Sequence, residues 1–269
     1  MMNKAKYLVP NFFTGLSFAM GLCAIIIMVH GIINPSYSSF FITAHRSLII
    51  IAGWLLVWCV LFDKLDGFAA KALNASSEFG AQFDSMADLV SFGIAPSMLV
   101  FSFVYSTQGT WYSSNKALVI GSVLFFSLCA AIRLARFNAI DVEELAVWFR
   151  GLPSTIAGAL IICSVLIYAK YDLITQYPAA AYFLPGLLVF SGILMVSTLY
   201  LSKLVPRKSK AINVFQIINI AGAFICGFAT LFPEYLMGMI VLYLSVGFIY
   251  GFMKRNLITA DAHSAKQPG

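Results

Sequence analysis

The chain has 269 residues, of which 61% are hydrophobic and only 10% charged. Soluble domains carry about 25% charged residues, so a water-soluble enzyme is excluded and an all-α, polytopic integral membrane protein is expected. The net charge of +6 has no basic soluble surface to occupy. That excludes nucleic acid as a partner and points to the anionic headgroups of membrane lipids.

A spanning helix needs about 20 apolar residues. Such stretches are expected at about 11–33, 47–72, 79–105, 117–138, 152–169, 180–201, 212–232 and 235–253. These make about eight helices in one transmembrane domain, residues 1–253, followed by a polar tail over 254–269. Pro10 and Asn11 start the first helix, and Thr14 and Ser17 add polar groups to it. Lys4 and Lys6 precede a run long enough to span, so a cleaved secretory leader is not expected. The second helix runs past the bilayer core into Asp63 and Asp66, which with Gly67 and Ala70 keep helical phase. Asn74, Ser76 and Ser77 then supply turn and N-cap chemistry. Gly80, Asp84 and Asp88 recur every fourth residue, on one face of the returning helix. Gly93 and Pro96 inside that helix point to a kink or a close helix contact.

Arg133 and Arg136 share a face at the end of the fourth helix, suited either to anchoring at the membrane surface or to an anion. Arg150 precedes Gly151-Leu152-Pro153, which reads as a turn, with or without N–H groups left for an anion. Ser197 reads as a helix-packing serine, and the basic run Lys203, Arg207, Lys208, Lys210 as an orientation signal. Pro233 and Glu234 leave a short connection, so the last two helices form a hairpin. The five cysteines stand singly in apolar runs and are expected to be small buried hydrophobes. His30, His45 and His263 lie away from the acids.

The basic residues orient the chain. All 17 Lys and Arg except Arg46, Lys116 and Lys170 fall on the side of the N-terminus. By the positive-inside rule that side is the cytoplasm. Both termini and the stretch from Asp63 to Asp88 are therefore expected there, at the cell (inner) membrane. Four carboxylates gathered at the mouth of a bilayer repel one another and lose hydration. A hard divalent cation or a pair of them, Mg²⁺ or Mn²⁺, is the natural compensation.

The acids stand in a recognisable frame. Asp63, Asp66, Gly67, Ala70 and Lys71, then Gly80, Asp84 and Asp88, resemble the D-x-x-D-G-x-x-A-R … G-x-x-x-D-x-x-x-D signature of the CDP-alcohol phosphotransferases, with Lys71 in place of its Arg. The resemblance implies a CDP-alcohol phosphotransferase-like helix bundle, with two divalent ions held by Asp63, Asp66, Asp84 and Asp88. It implies that Asp84 and Asp88 serve catalysis, Asp88 as the base. Asn11, Thr14, Asp66, Gly67, Ala70, Lys71 and Gly80 would bind the nucleotide of a CDP-lipid.

The flanks are similar to the serine branch of that family. They are Pro10-Asn11-x-x-Thr14, Asp88 to Pro96, Arg133 to Asn138, Gly151 to Ser154, and Met195-Val196-Ser197 before Ser202-Lys203. This implies CDP-diacylglycerol as donor, L-serine as acceptor through its hydroxyl, CMP as leaving group and a homodimer. Arg133, Arg136 and Arg150 become candidates for a substrate phosphate or the serine carboxylate. Glycerol 3-phosphate, inositol or its phosphate, and choline remain alternative acceptors, and a transporter with an acidic site remains an alternative class.

Overall fold

This computed structural model describes residues 2–33, 41–73, 77–107, 109–139, 148–202 and 210–253. Asn74, Ser76, Lys203, Arg207, Lys208, His263 and the tail over 254–269 lie outside the described residues, as do the side chains of Lys4, Lys6, His45, Arg46 and Lys210. The described elements are α1 (Met2–Ile33), α2 (Phe41–Ala72), α3 (Glu78–Asp88), a π-helical turn (Leu89–Ile94), α4 (Ala95–Thr107), α5 (Gly109–Ala139), β1 (Trp148–Arg150), α6 (Ser154–Tyr171), α7 (Leu173–Gln176), a 3₁₀ turn (Pro178–Tyr182), α8 (Phe183–Val196), β2 (Tyr200–Ser202), α9 (Lys210–Phe228) and α10 (Pro233–Met253).

Among the described residues, seven helical spans are long and apolar enough to cross a membrane. They are α1, α2, the run from α3 through the π turn to α4, α5, α6, the 3₁₀ turn with α8, and α10. The remaining expected span, 212–232, corresponds to α9, whose described apolar part is Gln216–Phe228. The chain is thus a polytopic membrane protein. Ile217, Ile218 and Ile225 of α9 and Val246, Ile249 and Phe252 of α10 point outward, as a lipid solvent permits, because acyl tails are as apolar as these side chains.

The central helix is α6, which packs against α2, α4, α8 and α10. Small residues allow this closeness. A Cβ at Gly158 would stand 3.0 Å from the Phe92 carbonyl oxygen, so the backbone of α6 lies directly on the π turn. The turn itself follows from Pro96. Its ring would clash with the carbonyl four residues back and it has no N–H to give. The helix absorbs one extra residue instead, and Ala95 donates its N–H to the Val90 oxygen five residues back.

Buried hydroxyls fix the register of the neighbouring helices. Ser17 Oγ donates to the Cys59 carbonyl at 3.4 Å, Cys59 Sγ donates to the Ser17 carbonyl at 3.3 Å, and Ser91 Oγ donates to the same carbonyl at 3.2 Å. Within a bilayer each such bond contributes about 0.6 kcal/mol.

Four expectations need correction. The first helix begins at Met2, not at Pro10, which lies inside it. The span expected over 180–201 ends as a helix at Val196, and the chain then runs into β2, paired antiparallel with β1 from Trp148↔Ser202 to Arg150↔Tyr200. This ribbon is an addition to the all-α bundle. Ser197 closes α8 as its C-cap, its hydroxyl donating to the Leu194 carbonyl at 2.8 Å. Of the cysteines, Cys59, Cys129 and Cys163 are buried, whereas Cys23 is exposed and Cys226 half-buried.

Candidate active site

Two helix ends and one helix start build the site. Asp63, Asp66, Gly67 and Ala70 lie along the last turns of α2, and Gly80, Asp84 and Asp88 along α3. Ser77 makes the return possible. It is the N-cap of α3, in an extended conformation, and its hydroxyl accepts the Gly80 N–H at 3.0 Å. The carboxylates of Asp63, Asp66 and Asp84 are thereby brought together, one oxygen of each lying within 4.8 Å of the others. Asp66 is buried, and Thr14 Oγ1 on α1 donates to its Oδ2 at 2.8 Å. Lys64 Nζ lies 2.7 Å from Asp63 Oδ2 and supplies the cluster's immediate counter-charge.

Beside the cluster opens a cleft of about 190 Å³, bounded by α1, the end of α2 and the start of α3. Asn11, Thr14, Asp66, Gly67, Ala70 and Gly80 all line it, together with Asp84. Lys71 does not line it and is exposed on α2. Pro10, Ser77 and Ala81 also line the cleft. Local spacing carries no signal for Pro10 or Ala81 as wall residues, and Ser77 reads from it only as a cap. The glycines differ in what surrounds them. A Cβ at Gly67 would meet nothing within 4 Å, so it would project into open cleft. A Cβ at Gly80 would press on Ser77 Oγ at 2.9 Å and Asn11 Oδ1 at 3.1 Å.

Asp88 stands one turn beyond Asp84, next to the π turn; it bonds to Asp63 on the cluster side, and further neighbours come from α5 and α6. Ser154 Oγ, at the start of α6, donates to Asp88 Oδ2 at a loose 3.5 Å. Arg133 Nη1, on α5, donates to Ser154 Oγ at 2.9 Å. Arg133 is only 8% exposed, and its Nε has no partner.

Arg136 makes a different set of contacts from Arg133. Its Nη1 donates to the Val196 carbonyl at 3.0 Å, and its Nη2 reaches the carbonyls of Arg150, Met195 and Ser197 at 3.3 to 3.4 Å. The guanidinium therefore ties the end of α8 to β1. The Gly151-Leu152 turn likewise keeps no N–H for an anion. Gly151 N donates to the Leu199 carbonyl at 2.7 Å and Leu152 N to the Leu194 carbonyl at 3.0 Å. Gly151 sits at φ +73°, where a Cβ would stand 2.6 Å from the Met195 carbonyl oxygen. Arg150 lies in β1 with an unpartnered buried Nε.

The acids, their spacing and the cleft beside them agree with a match along the sequence: the model of the CDP-alcohol phosphatidyltransferase family covers residues 7–250. The chain belongs to this family. As a CDP-alcohol phosphatidyltransferase it is a transferase, and the match takes in every helix that builds the site. Among curated proteins it is similar to a CDP-diacylglycerol–serine O-phosphatidyltransferase of Helicobacter pylori strain J99. The two are 33% identical over 193 residues, 72% of this chain and 71% of the relative. A protein of the same name from Methanocaldococcus jannaschii is 36% identical over 152 residues, 56% of this chain and 67% of the relative. One from Bacillus subtilis is 38% identical over 113 residues, 42% of this chain and 57% of the relative.

The donor set suits the metals expected for the family. Asp63, Asp66 and Asp84 offer only hard carboxylate oxygens, the ligands that Mg²⁺ and Mn²⁺ prefer. Thr14 donates to Asp66, the kind of bond that orients a carboxylate able to hold a metal.

Proposed function

We propose that this transferase moves a phosphatidyl group from CDP-diacylglycerol to the hydroxyl of L-serine, giving phosphatidylserine and CMP. The observation that carries the reading is the meeting of three carboxylates within 4.8 Å beside a cleft lined by Asn11, Thr14, Gly67 and Gly80, in a chain similar to three serine transferases. The choice of acceptor draws support from Arg133, a buried guanidinium with an unpartnered Nε on the Asp88 side of the cluster. A buried cation of this kind favours an acceptor that carries an anionic group, a carboxylate or a phosphate. Choline carries none.

In this reading Asp63, Asp66, Asp84 and Asp88 hold two divalent ions, Mg²⁺ or Mn²⁺. When bound, such ions screen the charge on phosphorus and on the departing phosphate. Asn11, Thr14, Gly67, Ala70 and Gly80 wall the cytidine diphosphate, and the two glycines let it approach the backbone. Lys71, exposed on α2, supplies charge near the mouth of the cleft without the fork of an Arg. The serine hydroxyl oxygen bonds to the phosphorus bearing the diacylglycerol, its proton passes to Asp88, and the bond from that phosphorus to the CMP phosphate oxygen breaks. Arg133 holds the serine carboxylate, with Arg150 nearby in sequence to the turn that starts α6. The basic-residue asymmetry supports a cytoplasmic position for this face and both termini, and in this reading the chain acts as a homodimer in the inner membrane. Residues 1–253 act as one catalytic domain.

The test is CMP release by the purified protein in detergent, with CDP-diacylglycerol, Mn²⁺ or Mg²⁺, and serine, glycerol 3-phosphate, inositol or choline offered separately. Release with serine alone, lost in Asp88→Asn, is the expected result. Release driven by another acceptor would overturn the serine assignment.

A further inference from the structure

Ser154 is the first residue of α6, a position where serine ordinarily caps the helix. It does not do so here. The cap position is taken by Pro153, which makes no side-chain bond to the helix. The Ser154 hydroxyl, 1% exposed, turns instead into the site, where it accepts from Arg133 Nη1 at 2.9 Å and faces Asp88 Oδ2 at 3.5 Å.

A hydroxyl has one proton and can accept as well as donate. With a lone pair held by Arg133, the proton is directed to Asp88. Both partners are thereby fixed in rotation. Asp88 also bonds to Asp63 of the acidic cluster, and Arg133 is held with its Nε unpartnered.

We propose that Ser154 is the positioning residue for the acceptor, holding the Asp88 carboxylate and the Arg133 guanidinium one hydroxyl apart so that a molecule with a hydroxyl and a carboxylate on adjacent carbons engages both. The proposal rests on the serine-transfer reading above. It assigns selectivity to Ser154, which touches neither the cleft nor the three-carboxylate cluster. Its neighbour Thr155 is also buried, but only Ser154 bridges the two charged groups among the described hydrogen bonds.

The experiment compares wild type, Ser154→Ala and Ser154→Thr, each purified as the full chain in detergent with Mn²⁺ and CDP-diacylglycerol. CMP release is measured against L-serine and against ethanolamine, which has the hydroxyl and amine but no carboxylate. Loss of one oriented bond on each partner predicts that Ser154→Ala raises the serine KM and lowers kcat by about tenfold each. It should leave the CDP-diacylglycerol KM unchanged, lower the melting temperature slightly through the lost bond to buried Arg133, and narrow the serine-to-ethanolamine rate ratio. Ser154→Thr, which keeps the hydroxyl, should restore serine turnover to within about threefold of wild type. The proposal is overturned if Ser154→Ala keeps wild-type kinetics with serine. It is equally overturned if both substrate KM values and the melting temperature move together, or if a well-folded Ser154→Thr fails to recover. Failure of the serine reading shows separately, as absence of serine-dependent CMP release from the wild type, and removes this proposal with it.

Discussion

Replacing Gly67 by Ala separates stability from function, because the two effects have opposite signs. Gly67 lies within α2, and a Cβ built on it meets nothing within 4 Å. The folded protein therefore has no clash to relieve. Ala is favoured over Gly inside a helix by about 0.8–1 kcal/mol, so Gly67→Ala should be slightly more stable, with a melting temperature higher by about 2–4 °C on the scale of soluble domains of 150–250 residues. The same methyl projects into the cleft that Gly67 lines. If the donor nucleotide rests against that wall, the methyl must displace it. A loss of about 1.4 kcal/mol in binding corresponds to a tenfold rise in the CDP-diacylglycerol KM, and Gly67→Val should cost more. The assay is CMP release over a range of CDP-diacylglycerol, with thermal unfolding followed in the same detergent. A more stable Gly67→Ala with unchanged donor KM would refute the placement of the nucleotide. An unstable variant would refute the claim of open space. Gly80→Ala provides the contrast. Its Cβ would press on Ser77 Oγ, so the lost cap, about 1 kcal/mol, roughly offsets the gain in propensity.

Other outcomes follow from the same contacts. Thr14→Val removes the 2.8 Å bond to buried Asp66; partners of metal-binding groups typically contribute about 10–100-fold in affinity, so the Mn²⁺ concentration for half-maximal activity should rise by about that much, and an unchanged metal titration would show that Thr14 does not orient a ligand. Arg136→Gln loses contacts to carbonyls at the end of α8 and in β1. Unfolding should become easier by on the order of 3 kcal/mol while the serine KM stays put; a stable variant with a raised serine KM would make Arg136 an acceptor ligand instead. Chelation with EDTA should abolish CMP release and leave the helical circular dichroism intact, with activity returning on Mg²⁺ or Mn²⁺. Full activity after exhaustive chelation would refute a metal site at Asp63, Asp66 and Asp84.

Chelation and the arginine variant probe parts of the site that differ in how they can be read. The carboxylates are legible because a helix repeats every 3.6 residues, and residues three or four apart must share a face. Asp63 with Asp66, and Asp84 with Asp88, needed no further information. The cleft around Asn11, Thr14, Gly67, Ala70 and Gly80 was legible through resemblance, since those residues come from three elements and no periodicity joins them. Lys71 shows where pattern alone stops. It stands in the motif, yet the turn of α2 leaves it exposed and off the cleft.

Composition, hydropathy and charge asymmetry alone determined that this chain spans a bilayer as a helical bundle, because each backbone polar group in lipid must be satisfied within its own segment. Local spacing determined the acidic faces. Only the tertiary structure decided what Arg133 and Arg136 each touch. Arg133 and Arg136 are one turn apart and chemically the same, but α6 presents a hydroxyl to one and the end of α8 presents carbonyls to the other. It alone decided that the Gly151-Leu152 N–H groups close a ribbon onto α8, and that Ser154 faces Asp88 across 66 positions of sequence. Those contacts join residues distant in the chain, and their partners are chosen by the packing of α5, α6 and α8, which no local pattern encodes.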